Sequence, residues 1–85
     1  MIKIENGQRK YFDRNGVEIT EGCTIRCNWE AEEYRDKIVY LTADGQLGTD
    51  ATNPKWIKSG RAVPCEFGIY PLTLEQTNTV EVVPG

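Results

Sequence analysis

Histidine is missing altogether from these 85 residues. With it go the usual general base near neutral pH, the commonest metal ligand and the ordinary partner of a nucleophilic cysteine. No apolar run reaches the roughly 18 residues that a spanning helix needs, so no membrane contact of that kind is expected. The opening MIKIENGQRKYF turns polar after a few residues, which excludes a secretory signal there. Positive charge is scarce as well: 10 Lys and Arg against 13 Asp and Glu leave a net charge of −3 and a pI of about 4.9. The whole-molecule field therefore does not draw the chain to nucleic acid or to an anionic membrane. P-loop, glycine-rich nucleotide fingerprint and nucleophile elbow are all absent. These absences lead to the expectation of no enzyme activity, no cofactor and no metal.

What is present reads as one small β-rich domain over residues 1–85. Chains of this size bury only about 60% of the surface that their unfolded form exposes. Each large apolar side chain thus carries a large share of the stability. Turn signals recur at short intervals: Asn6-Gly7, Asn15-Gly16, Glu21-Gly22, Asp44-Gly45, Asn53-Pro54 and Ser59-Gly60. Between them lie short segments rich in β-branched and aromatic residues, the pattern of an all-β sandwich or barrel. Asn6-Gly7 predicts a hairpin between Ile2-Lys3-Ile4 and Arg9 to Phe12, because Asn-Gly supplies the positive φ angles of a tight turn. Ala43-Asp44-Gly45 predicts a second, between Ile38 to Leu41 and Gln46 to Thr49. Thr79 to Val83 reads as a closing strand with Val80 and Val82 on one face. Residues 30–41 also fit a helix, with Ala31, Tyr34, Ile38 and Leu41 on one side. The strand-favouring Ile38-Val39-Tyr40 and the turn behind it argue for a strand, preceded by a loop or single helical turn over Ala31 to Asp36. Thr73 to Gln76 has the spacing of a capping box and predicts a second helical turn.

Cys23, Ile25, Cys27 and Trp29 alternate with Thr24, Arg26, Asn28 and Glu30. In a strand the first four share a face, and the two thiols stand roughly 13 Å apart. That separation is too long for a disulfide and for a shared tetrahedral zinc. Both cysteines, and Trp29 with them, are therefore expected to be core. Cys65, which follows Pro64, could approach either of them, and its partner is left open. Three cysteines, an odd number without an export signal, fit free thiols in a reducing compartment.

Two charged stretches remain. Glu30, Glu32, Glu33 and Asp36, mixed with Arg35 and Lys37, read as a solvated loop more than as paired catalytic carboxylates. The stretch from Asn53 to Pro64 carries Lys55, Trp56, Lys58 and Arg61 and no acid. A basic loop bearing an aromatic is the chemistry of phosphate grip with base stacking. The alternative is a Trp lid closing the end of a small barrel with lysines lying over it. Exposure of Trp56 separates the two: a buried indole makes a lid, an exposed one a contact surface.

Asp13, Gly16, Glu18, Ile19, Gly22 and Ile25 together form a pattern that resembles the D-x-x-G-x-E-I-x-x-G-D-x-V segment of small phage and prophage proteins of the YopX type. Ile38-Val39-Tyr40 with Asp44-Gly45-x-Leu47 is similar to their central hairpin, and Thr79 to Val83 to their closing strand. Cys23 stands where that pattern has Asp. The resemblance implies a mainly β, SH3-like barrel of about five to seven short antiparallel strands with at most one or two helical turns. In such a barrel Val17 and Ile19 would share a face, and Ile25, Cys27, Trp29, Val39, Leu41, Val80 and Val82 would fill the interior. It also implies a protein encoded by a phage or an integrated element, in the cytoplasm of a bacterial host, in a family with no assigned activity. The expected role is that of a binding module for a host or phage protein, as monomer or homodimer. The rival is a nucleic-acid accessory protein working through Lys55, Trp56, Lys58 and Arg61.

Overall fold

A computed structural model describes residues 1–50, 52–66 and 68–84. Eight strands, two short α-helices and one 3₁₀ turn follow one another along the described chain. β1 (Ile2–Glu5), β2 (Gln8–Phe12) and β3 (Glu18–Ile19) form one antiparallel sheet in that order. β4 (Thr24–Arg26), β5 (Asp36–Leu41), β6 (Leu47–Asp50), β7 (Ile69–Pro71) and β8 (Glu81–Val83) form a second, ordered β7-β6-β5-β4-β8. The helices are α1 (Pro54–Lys58) and α2 (Leu74–Thr77), and the 3₁₀ turn spans Glu32–Tyr34. The protein is mainly β, as its turn spacing predicts, with one strand more than expected.

The barrel expected from the sequence is not closed by these ladders. Among the described residues both sheets are open, with β1 and β3 ending one and β7 and β8 the other. Besides the packing of the core between them, two hydrogen bonds among the described residues tie the end of β2 to β8 and the residue before it. The Asp13 carboxylate accepts from Val82 N–H at 2.7 Å, and Arg14 N–H donates to the Val80 carbonyl at 3.0 Å. Asp13 is only 4% exposed. Its other oxygen accepts from the N–H groups of Asn15 and Val17, both at 2.8 Å. The Asp of the Asp13-x-x-Gly16 pattern thus shapes its own turn and pins the first sheet to the last strand. Gly16, at φ 77°, supplies the left-handed backbone that this turn needs.

Both predicted hairpins form. Glu5 pairs with Gln8 across Asn6 and Gly7, both at positive φ, which is the two-residue turn that matches strand twist. β5 and β6 pair through Tyr40 with Gly48 and Leu41 with Leu47. Their turn is held by the Thr42 hydroxyl, which donates to Asp44 and accepts from Gln46 N–H at 2.9 Å. The bond from the Thr42 hydroxyl and another from the Gln46 side-chain amide keep the Asp44 carboxyl below its ordinary range.

Residues 30–41 resolve as the strand reading has it, with the 3₁₀ turn followed by β5. Thr73 and Gln76 form the reciprocal capping box that their spacing predicts. The core lies between the sheets: Tyr11 and Ile19 from one, Ile25, Val39 and Leu47 from the other, with Cys27, Leu72 and Val80. Cys23 and Val82 pack against it from the side.

The alternation that begins at Cys23 holds through Ile25 and Cys27 and then stops. Cys27 N–H donates to Arg35 O, and Glu30 N–H turns back onto Cys27 O at 3.2 Å. Trp29 is carried out of the strand by this turn and is 42% exposed, not core. Leu41, expected in the interior, is exposed too, and so is Val17, expected to share a face with the buried Ile19. Val17 sits on the turn that Asp13 organises, and Leu41 lies where β5 runs past the end of the core. No helix of the described residues is long and apolar enough to cross a membrane.

Candidate functional site

The basic stretch expected as a loop is a helix closed at both ends. Asn53 caps α1, its side-chain oxygen accepting from Lys55 N–H at 2.9 Å, and Pro54 occupies the first turn, where a missing N–H costs nothing. At the other end Gly60, at φ 79°, donates to Ile57 O at 3.2 Å, and Arg61 donates to Trp56 O at 2.8 Å. That pair of bonds is the glycine-terminated helix stop, and it folds the chain back over the turn that carries Trp56. Lys55, Trp56, Lys58 and Arg61 therefore lie on one short helix and the residues that close it.

All four are exposed, Trp56 at 41%. The indole is not a buried lid. The Lys55 ammonium sits 5.7 Å from the centre of the Tyr34 ring, a cation–π distance that links α1 to the 3₁₀ turn.

Asp50 positions the whole segment. One of its oxygens accepts from Thr52 N–H at 2.7 Å and the other from Cys65 N–H at 2.8 Å. A single carboxylate thereby holds both ends of the excursion that contains α1. Burial pushes the Asp50 carboxyl up, but these N–H groups and the Thr52 hydroxyl outweigh it and leave the group below its ordinary value. The Thr52 hydroxyl makes no hydrogen bond of ordinary geometry, yet lies near enough to the carboxylate to favour its charge.

Beneath α1, on the face of the second sheet turned away from the core, is a pocket of about 250 Å³. Ile38, Tyr40, Ile57 and Pro64 give it apolar walls, and Asp50 stands at its side. Cys65 lies beside Tyr40 and Asp50 and meets neither Cys23 nor Cys27; all three thiols are free. Burial and the Asp50 charge push the Cys65 thiol up, the reverse of what an activated nucleophile requires.

The acidic stretch is spread out by folding. Glu30 pairs with Lys37 at 3.2 Å and Asp36 with Arg26 at 3.1 Å, while the side chain of Glu33 lies outside the described residues. No group of acids, cysteines or histidines suited to a metal occurs among the described residues.

One surface escaped the sequence reading. Trp29, turned outward, walls an open groove of about 500 Å³ with Asn28, Thr73, Glu75, Gln76 and Thr79. No sequence signal marks it, because Trp29 continues the alternation of Cys23, Ile25 and Cys27 without a break.

The chain matches no family model, and no curated protein or solved structure is significantly similar to it.

Proposed function

We propose that this chain is a small binding module that works without catalysis, encoded by a phage or an integrated element and acting on a host or phage protein in the bacterial cytoplasm. The pattern from Asp13 to Ile25 supports the YopX-type likeness, and with it an SH3-like arrangement left partly open. The observation that carries the binding reading is Trp56, a large indole held toward solvent on a helix that is capped at both ends and pinned by Asp50. An exposed Trp with an arginine on the same short segment has residue types enriched at interface hot spots. The acidic whole favours a protein partner over a polyanion.

A second reading keeps the same residues and changes the partner. Lys55, Lys58 and Arg61 around an exposed indole also suit a single-stranded nucleic acid. A photo-crosslinking residue in place of Lys58, with the tagged protein expressed in a bacterial host, separates the two. The binding module gives a discrete protein adduct that disappears when Trp56→Ala is added. Adducts to nucleic acid alone, or a pattern unchanged by Trp56→Ala, would overturn the protein reading.

A further inference from the structure

The two open sheets have four edges, and three of them are blunted. On β7, Leu72 N–H donates to Leu47 O, so Thr49 and Tyr70 form a bonded pair while Ile69 and Pro71 face outward. Pro71 has no N–H to offer. On β8, the outward N–H of Val82 is taken by the Asp13 carboxylate and the Val80 carbonyl by Arg14. β3 is two residues long.

β1 carries no such stop. Phe12 N–H donates to Met1 O, which makes Lys3 with Lys10, and Glu5 with Gln8, the bonded pairs of the hairpin. Ile2 and Ile4 then direct their N–H and C=O groups away from β2, and no hydrogen bond to them occurs among the described residues. Ile4 is 73% exposed. Its side chain and that of Leu41, 48% exposed, stand in an open cleft between the two hairpin tips, with Arg9, Asp44 and Gln46. On the opposite face Lys3 lies across from Lys10. Lys10 has Glu5 at 3.4 Å, whereas Lys3 has the ring of Phe12 and, among the described residues, no carboxylate in ion-pair range.

We infer that β1 is a docking edge for an extended segment of a partner protein with an apolar-acidic-apolar sequence. Main-chain bonds run to Ile2 and Ile4. The two apolar side chains fall on the cleft face beside Ile4 and Leu41, and the acid between them falls opposite Lys3 in a close, non-bonded pair. A second copy fits less well: pairing Ile2 with Ile4 sets Lys3 against Lys3, and the register that sets Lys3 against Glu5 runs the turn residue Asn6, at φ 51°, against Ile2. The inference rests on the sheet edge and shares no residue with the Lys55 to Arg61 surface, so either can fail alone.

The test is an amide-resonance titration with a capped peptide, Ser-Thr-Val-Glu-Val-Thr-Ser, and its twin with Lys in place of Glu. The glutamate peptide is expected to give saturable shifts centred on Ile2 and Ile4, with the lysine twin binding at least fivefold more weakly. Ile4→Pro, which removes an N–H that β2 does not use, abolishes the binding while the remaining amide spectrum stays dispersed. Lys3→Glu, a surface change, inverts the peptide preference and decides the matter if Ile4→Pro unfolds. No saturable shift at these amides, equal affinity for both peptides, or shifts that follow protein concentration alone would overturn the inference.

Discussion

Asp13 does more than any other single side chain described. Its carboxylate takes three main-chain N–H bonds, two closing its own turn and one reaching β8 across the molecule. Hydrogen bonds to a charged acceptor contribute about 1.5–3 kcal/mol each, and a buried N–H left without a partner carries a further cost. Bonds that share one acceptor do not add in full, so Asp13→Ala is expected to destabilise the protein by about 3–5 kcal/mol. Asp13→Asn, which keeps an oxygen but loses the charge, should cost roughly half as much. Urea titration followed by circular dichroism checks both. A loss under about 1 kcal/mol for the alanine variant would mean that the sheets are joined by other means. In the sequence Asp13 stands out only as the first residue of the Asp13-x-x-Gly16 pattern. Its reach to Val82, 69 positions along the chain, is a tertiary contact that no local pattern encodes. Cys23, Ile25 and Cys27 were legible because period-two alternation is a local property of an extended strand. Trp29 continued the same pattern on paper, and only the turn that Glu30 makes onto Cys27 removes it from the core.

At the scale of elements, hairpins were the easiest part to read, since Asn6-Gly7 and Asp44-Gly45 specify their turns with two residues each. Helix α1 was hidden because Asn53-Pro54 and Ser59-Gly60, which read as turn signals, also serve as helix start and stop signals. Five residues are too few for a periodic stripe to show. Its position depends on Asp50, which gathers Thr52 and Cys65 at the two ends of the segment. Asp50→Ala is expected to release the segment while both sheets persist, raising amide exchange at Thr52 and Cys65 by tenfold or more with little change at Val39. Acid should act in the same direction. The folded carboxyl titrates below its ordinary value of 3.8, so its contribution is complete above that value and is lost as pH falls through the lower folded one. Exchange that rises equally in β5 would show that Asp50 supports the whole fold and not the segment.

The molecule as a whole is thin, 42 × 27 × 22 Å, and its small core includes a thiol. Burial pushes the Cys27 thiol up to about 12 from its usual 9. An unfolded chain loses that proton near pH 9 while the folded chain keeps it, so the stability that Cys27 brings is intact below about pH 9 and drains away between 9 and 12. The alkaline slope of stability above pH 9 should accordingly flatten in Cys27→Val, measured as urea midpoints on wild type and variant under reducing conditions. An identical slope would place the thiol in water. The overall class, mainly β with short helical turns, was legible from turn spacing. The division into two open sheets was not, because ladders between distant strands depend on contacts such as Asp13 to Val82 that only the folded chain assembles.

The proposed role at this scale is that of an acidic module whose exposed indole and cations meet a protein. It is tested most directly by titrating a labelled 20-nucleotide single strand at about 20 mM salt, where any phosphate contact is strongest. The protein-binding account predicts no saturable anisotropy change at micromolar protein. Saturable binding that weakens steeply with added salt and vanishes in Trp56→Ala would contradict it and make the α1 surface a nucleic-acid site.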